Sequence, residues 1–231
     1  CKEDVAEHAI ALIFALARKV VASRRTLDES SRTGQWNFAG LFPIYRMTGK
    51  TLGIVGTGRI GSRVARKLGS FGFRIIGHDP YLTDAQRAEI GIEYVDRETL
   101  FRSSDFVSIH TPLNEETRHL VNAETLSWMK PTACLINTSR GGMVDAQALA
   151  DALRRGTIAA AAIDVYEVEP PPQDMPLFGL DNAVLTPHIG WASEEAGWEI
   201  RRSILNDILA HAEGRPARCV VNKDGLKERR K

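Results

Sequence analysis

Gly56-Thr57-Gly58-Arg59-Ile60-Gly61 follows the apolar run Thr51 to Val55 and opens a segment with Ile60, Val64 and Leu68 at helical spacing. In the order strand, glycine turn, helix, each glycine has its own task. The first permits the tight turn, the second lets the backbone approach a pyrophosphate, and the third lets the helix lie close on the strand. The phosphates then meet N–H groups at a helix N-terminus. A further strand, Arg74 to Gly77, runs into His78-Asp79-Pro80 and places a carboxylate about 20 residues past the glycines, where a ribose 2′-hydroxyl is read. Asp79 repels a 2′-phosphate, and no Arg or Lys lies between Pro80 and Gln86 to accept one. These residues point to a dinucleotide site and favour NAD over NADP.

Outward from this element, short β-rich runs alternate with helical patterns. The expected strands are Thr51–Val55, Arg74–Gly77, Glu93–Val95, Phe106–His110, Ala133–Asn137, Ala159–Asp164 and Ala183–Thr186. Such alternation predicts an α/β fold built on a doubly wound parallel sheet of the Rossmann type. Asp96, Asn122 and Asp145 precede helical runs as caps, Gly156 stops the last of these, and Ser193 with Glu194-Glu195 opens a final amphipathic helix. That helix carries Ile200, Ile204, Leu205, Ile208 and Leu209 and ends at Gly214 and Pro216. The expected organisation is a helix over residues 1–21, a connection over 22–49, a nucleotide-binding domain over 50–190, the final helix over 191–216 and a tail over 217–231. The connection is polar and turn-rich, with Trp36, Phe38, Phe42 and Tyr45 as its anchors; the tail is charged and expected to be disordered.

The chain has 231 residues, 43% of them hydrophobic, enough for one large α/β domain or one domain and part of another. Its 30 Lys and Arg residues stand against 29 Asp and Glu, a formal net charge of +1, which leaves no electrostatic footprint for nucleic acid or an anionic membrane. The run Ala9 to Ala17 is too short to span a bilayer, which takes about 20 apolar residues in a helix. Acidic Glu3, Asp4 and Glu7 before it and Arg18-Lys19 after it reverse the charge order of a signal peptide. Cys1, Cys134 and Cys219 show no metal or redox spacing, so no metal site is expected and a cytoplasmic location is. The chain opens with Cys directly at a helix, which leads to the expectation that sequence precedes it.

In open parallel sheets ligands sit beyond the carboxyl ends of the strands. Four such ends are polar: His110-Thr111-Pro112-Leu113; Asn137-Thr138-Ser139-Arg140-Gly141-Gly142; Asp164 through Glu169-Pro170; and Thr186-Pro187-His188. Arg140, Glu169 and His188 supply an anion clamp, a carboxylate and an imidazole. Interconverting a 2-hydroxy acid and a 2-keto acid needs all three. A base of pKa near 6.5 exchanges the hydroxyl proton, a role suited to His188. A carboxylate, Glu169, fixes its tautomer. A guanidinium, Arg140, holds the substrate carboxylate bidentately, with the paired glycines after it allowing close approach. His8, His78, His110, His119 and His211 have no comparable setting and read as structural, and Met175, Trp128 and Trp198 read as packing.

Taken together, these motifs resemble the D-isomer-specific 2-hydroxy acid dehydrogenase family. The resemblance rests on Gly56 to Gly61, on His110-Thr111-Pro112-Leu113 with Thr117, on Asn137 to Gly142 with Val144-Asp145, on Asp164-Val165-Tyr166-Glu167-Val168-Glu169-Pro170 and on Thr186-Pro187-His188-Ile189-Gly190, and it runs from about Val5 to Asn222. It implies an NAD-dependent enzyme transferring a hydride between the nicotinamide and C2 of a small D-2-hydroxy acid or 2-keto acid, with Arg140, Glu169 and His188 as the catalytic set. It implies NAD contacts by Gly56, Gly58, Arg59, Ile60, Gly61, Asp79, Thr111, Pro112, Thr117, Thr138, Ser139 and Arg140, by Asp164 near the nicotinamide amide, and by His188 and Gly190. It also implies a homodimer paired through the nucleotide domain, for which Trp36 to Tyr45 offer an interface. A second, substrate-binding domain is implied too, joined by crossing helices that resemble Asp4 to Val21 and the helix from Ser193, with its leading segment absent. After Gly190 most members carry a small residue; Trp191, followed by Ala192-Ser193-Glu194-Glu195, is similar to the branch of C-terminal-binding-protein corepressors and phosphoglycerate-dehydrogenase-like enzymes. A tryptophan there narrows the pocket or stacks near substrate. That branch carries a rival expectation, an NAD(H)-sensing binding protein with little turnover, and the absent segment a third, an inactive fragment.

Overall fold

The structure, a computed structural model, describes residues 1–218; Cys219 and the tail expected to be disordered from Lys223 lie outside the described residues. The chain divides into two compact units, one of Lys2 to Trp191 and one of Cys1 with the chain from Ala192 onward.

The larger unit is built on a seven-stranded sheet. Its strands are β1 (Thr51–Val55), β2 (Arg74–His78), β3 (Glu93–Tyr94), β4 (Phe106–Ile109), β5 (Cys134–Asn137), β6 (Ala160–Ile163) and β7 (Ala183–Leu185). The spatial order is β3-β2-β1-β4-β5-β6-β7, and every neighbouring pair is parallel. All the expected strands are present, and the fold is the expected doubly wound Rossmann-type α/β sheet. Its helices are α1 (Lys2–Ala17), α2 (Val20–Thr33), α3 (Gly61–Gly69), α4 (Asp84–Ile90), α5 (Arg97–Ser103), α6 (Ala123–Trp128) and α7 (Ala146–Arg155).

The strands read as apolar runs because helices cover both faces of the sheet. Leu52, Ile54, Ile136 and Ala162 face α1 and α3, where Ala6, Ala9, Ile13, Val64 and Leu68 are buried. One residue along, Val55, Val107, Leu135 and Ile163 face the opposite layer of Leu100, Phe101, Leu126, Leu149 and Leu153 from α5 to α7. Each fully buried Leu or Ile of these layers contributes about 2 kcal/mol of apolar transfer. Helix α1 is thus integral to one face of the sheet, and Lys67 of α3 pairs with Glu7 of α1 at 2.7 Å.

Local signals hold where side chains cap helices. Asp96, Asn122 and Asp145 accept from the amides of Thr99, Thr125 and Ala148, and Gly156 closes α7 in the left-handed conformation at φ 69°. The expectation of one helix to Val21 followed by an irregular connection does not hold. Lys19 adopts φ 51° and separates α1 from α2, which occupies Val20 to Thr33. Helix α2 buries none of its residues; its polar stretch is knitted by ion pairs one turn apart, Arg24 with Asp28 and Arg32 with Glu29. Trp36, Phe38, Phe42 and Tyr45 do not anchor the connection in the core. All are exposed, Trp36 by 78%, and Phe38 and Phe42 pack on each other with ring centroids 6.2 Å apart.

In the smaller unit, helix α8 (Glu194–Ala212) is capped by Ser193, whose hydroxyl accepts from the Ala196 amide at 2.9 Å. Its expected apolar residues Ile204, Leu205, Ile208 and Leu209 are exposed. Among the described residues, no helix is long and apolar enough to cross a membrane, and no group of His, Cys, Asp or Glu is placed to hold a metal ion. Cys134 is a free thiol, and burial pushes it up to about 12, so it carries no nucleophilic charge at neutral pH.

Burial also lowers His110, at the end of β4, from 6.5 to about 4. The unfolded chain therefore binds a proton that the native state refuses. This contribution to stability is full above about pH 6.5 and is lost as pH falls through about 4. Urea unfolding between pH 7 and 4.5 should show the parent losing stability more steeply than His110→Gln, by about 1 kcal/mol per pH unit; equal slopes would show that His110 is not held neutral.

Candidate active site

Strand β1 lies between β2 and β4, so successive crossovers leave it in opposite directions and a crevice opens at its carboxyl end. The glycine turn fills that position. A Cβ at Gly61 would stand 2.1 Å from the Gly56 carbonyl oxygen, and one at Gly56, with φ 85°, 2.7 Å from the Thr111 amide, so both glycines are required by the protein's own packing. Gly58 is different: a Cβ there would meet nothing within 4 Å. The middle glycine borders open space, as a site for a pyrophosphate requires. Helix α3 begins there without any side-chain cap, and the Thr138 hydroxyl at the end of β5 is buried with no partner. Uncapped helix amides, an unmatched hydroxyl and a glycine facing free volume fit a dinucleotide.

Asp79 stands at the end of β2 as expected. Its carboxylate accepts the Thr57 amide at 2.8 Å and the Tyr81 amide at 3.1 Å, which fixes it beside the glycine turn. Arg87, the residue after Gln86, folds back from α4 to donate to the Asp79 carbonyl oxygen at 3.0 Å. Its Nε is buried without a partner, and its guanidinium lies 5.3 Å from the Tyr94 ring centroid. The capping box of Thr83 and Gln86 that starts α4 was the available signal for this turn and for the helix. The Thr117 hydroxyl donates to the Pro112 carbonyl at 2.7 Å and helps build the turn after β4.

The structure brings together the residues expected to do chemistry. His188 Nδ1 and Glu169 Oε2 are 2.6 Å apart, and the second carboxylate oxygen accepts the Tyr166 amide at 2.9 Å. Both side chains are about two-fifths exposed, 40% and 37%, so they are reachable from solvent. Partial burial raises the Glu169 carboxyl, but the Tyr166 amide, the His188 imidazole and the charges of His188 and Arg140 outweigh it and hold the group below the ordinary carboxylate value. Arg140 is exposed, and its Nη1 donates to the Ser139 carbonyl at 2.6 Å. Asn137 pins this loop from within β5 by accepting the Ser139 amide and donating to the Arg140 carbonyl. At Gly141 a Cβ would stand 1.9 Å from the Tyr166 carbonyl carbon, so the loops carrying Arg140 and Glu169 touch backbone to backbone.

Asp164 is 1% exposed and receives the Ile189 and Gly190 amides, at 3.0 and 2.9 Å, and the Thr186 hydroxyl at 2.5 Å. Two residues not assigned to the site from sequence belong to this cluster. The Tyr166 hydroxyl donates to the Thr186 carbonyl at 2.9 Å, and His8 of α1, which read as structural, reaches Asp164 Oδ1 at 3.3 Å. Only its place in an apolar helix spoke in sequence, and that gave no sign of a polar partner. Trp191 is 44% exposed.

Known proteins resemble this chain along nearly its whole length. Residues 10–190 match the family model for the NAD binding domain of D-isomer specific 2-hydroxyacid dehydrogenases. The chain is 44% identical over 230 residues to a glyoxylate reductase of Korarchaeum cryptofilum, covering 98% of this chain and 68% of that protein. It is 40% identical over 219 residues to a D-3-phosphoglycerate dehydrogenase of Archaeoglobus fulgidus, covering 95% of this chain but only 41% of that protein. The crystal structure of a D-lactate dehydrogenase with NAD+ from Lactobacillus jensenii superposes with a TM-score of 0.85 at 28% identity, covering 96% of this chain and 69% of that one.

The arrangement at Asp79 sets an expected outcome for cofactor choice. Asp79→Ala removes the charge that opposes a 2′-phosphate and leaves Arg87 as the neighbouring cation, so the ratio of NADPH to NADH dissociation constants should fall at least about tenfold, or about 1.4 kcal/mol. Fluorescence titration of both cofactors measures it, and an unchanged ratio would remove Asp79 from the ribose site.

Proposed function

The chain belongs to the D-isomer specific 2-hydroxyacid dehydrogenase family, and on that footing we propose that Arg140, Glu169 and His188 interconvert a small 2-keto acid and its D-2-hydroxy acid, with glyoxylate the first substrate to test. NAD is the cofactor, and when bound its nicotinamide gives or takes the hydride at C2. The observation that carries the assignment is the 2.6 Å contact of His188 Nδ1 with Glu169. With Nδ1 committed to the carboxylate, Nε2 is left to exchange a proton with the substrate oxygen. In reduction the imidazolium donates that proton to the keto oxygen; in oxidation the neutral ring removes it from the hydroxyl. Glu169, kept ionised, stabilises the charged ring. Arg140 supplies the guanidinium that orients the substrate carboxylate, and its positive charge draws electron density toward the keto oxygen.

The glyoxylate reductases among the relatives motivate the choice of a short 2-keto acid. The rival corepressor reading gains no support from the residues that form the site, since a cofactor sensor has no need of a positioned imidazole, carboxylate and guanidinium. The same reading makes α1 and α8 the connections to a substrate-binding domain, and the exposed apolar residues of α8 support it. A cytoplasmic location belongs to the enzymatic reading, and the unpaired thiol of Cys134 supports it.

NADH oxidation followed with a panel of 2-keto acids, on this chain and on the protein as it is made in the cell, tests the assignment. Glyoxylate should be turned over, and His188→Ala should lower kcat about a thousandfold while NADH affinity stays within about threefold. If the protein as made in the cell binds NADH but reduces none of the panel, the enzymatic reading is overturned. The homodimer is supported by Trp36, Phe38, Phe42 and Tyr45, a cluster of exposed aromatic side chains on one connection. Light scattering should give twice the chain mass, and Trp36→Ser combined with Phe42→Ser should reduce it to one chain; a monomeric parent would dismiss that interface.

A further inference from the structure

His188 has an unusual backbone for a residue with a side chain: its φ is 56°, in the left-handed region. Such a conformation persists only where neighbouring contacts over-determine it. The contacts are visible in the two amides that follow. Ile189 donates to Asp164 Oδ1 at 3.0 Å and Gly190 to Oδ2 at 2.9 Å, so one buried carboxylate clamps the turn immediately after the imidazole.

What holds the clamp is the hydroxyl of Thr186 and the ring of His8. The Thr186 hydroxyl has one hydrogen, which goes to Asp164 Oδ1 at 2.5 Å, so Thr186 Oγ1 can only accept from elsewhere. His8 Nε2 lies 3.2 Å from that hydroxyl and 3.3 Å from Asp164 Oδ1, between two acceptors. The nitrogen must therefore carry a hydrogen. The packing leaves the ring little freedom, because a Cβ at Gly190 would stand 3.2 Å from His8 Cδ2 and 2.9 Å from Asp164 Oδ2. The helix that carries His8 is itself fixed, with Ala6, Ala9, Leu12 and Ile13 buried against the sheet.

We propose that His8 is a positioning residue for hydride transfer, acting on His188 through Asp164: its Nε2–H anchors the carboxylate that clamps the Ile189 and Gly190 amides and so fixes the turn that aims the His188 imidazole at Glu169. The inference rests on the role proposed for His188 and adds to it a residue from the other end of the chain. It explains why a histidine, rather than an apolar residue, occupies this position of a helix that buries Ala6, Ala9, Leu12 and Ile13. An apolar side chain would leave a buried carboxylate without one of its donors.

Two polar replacements separate positioning from mere filling. In His8→Gln the side-chain amide nitrogen falls near the place of Nε2, whereas in His8→Asn it stops short. The expected result in the protein as made in the cell, with NADH and glyoxylate, is a kcat at least about tenfold lower for the Asn variant, with KM within about threefold, and a kcat within about threefold of the parent for the Gln variant. A second measurement needs no turnover: nitrogen NMR of the His188 ring in this chain should report one tautomer, protonated at Nδ1, in the parent and the Gln variant, and a mixture in the Asn variant. The tautomer contrast supports the inference even if no 2-keto acid is turned over, so failure of the enzymatic reading is recognised separately. If the His188 ring signals of the folded Asn variant match the parent's, or if both variants lose the single tautomer alike, the inference is overturned. Should the Asn variant not fold, Gly190→Ala provides the same test, since its methyl group pushes directly between His8 and Asp164.

Discussion

Parallel pairing delivers the carboxyl ends of all the strands to one edge of the sheet, and every residue assigned to chemistry here depends on that. Asp79 follows β2, Thr138 and Arg140 follow β5, Asp164 and Glu169 follow β6, and His188 follows β7. None of these segments is close to the others in sequence. They meet because the sheet's buried faces set the register of each strand against its neighbour, and a slip by one residue would turn the whole apolar set of a strand toward the wrong layer. The core thus fixes the positions of the site's loops before any polar contact between them forms.

The polar contacts then refine placement from loop to side chain. Asn137 shapes the Arg140 loop from below, Tyr166 reaches both Glu169 and the segment that leads to His188, and Asp164 gathers the turn beyond it. Each of these residues is near a strand end and is largely occupied with its own chain. The residues left accessible, Arg140, Glu169 and His188, are the ones proposed to meet a substrate. This division between buried supports and exposed reactive groups is what a preorganised site requires, because hydrogen bonds that fix orientation must already be made when substrate arrives.

Sequence revealed those parts of this design that rest on local rules. The strands were legible because burial on both faces makes them continuous apolar runs, and α5, α6 and α7 because Asp96, Asn122 and Asp145 mark their starts. The trio proposed for chemistry could be picked out because each member follows a strand. What was not legible depends on contacts across the chain or on weak local terms. Helix α2 is stabilised by ion pairs between charged residues that otherwise read as a solvated connection, and Lys19 turns left-handed with no glycine or proline to announce it. The aromatic residues from Trp36 to Tyr45 suggested anchoring, yet nothing in composition distinguishes an aromatic side chain that packs inward from one that stands in solvent. His8 shows the same limit: its helix advertises only apolar periodicity, and its partners Asp164 and Thr186 lie at the far end of the sequence.

The backbone contact at Gly141 has a consequence for how such a site can change over evolutionary time. With no room for even a methyl group between the Arg140 loop and Tyr166, the loops that carry Arg140 and Glu169 form one closely packed block that a side chain at position 141 would force apart. Novelty in what the enzyme accepts then has to arise in residues that face this block from outside it. Relatives that bear the names of different substrates would, on this account, have diverged around a reaction centre whose internal spacing was never free to drift.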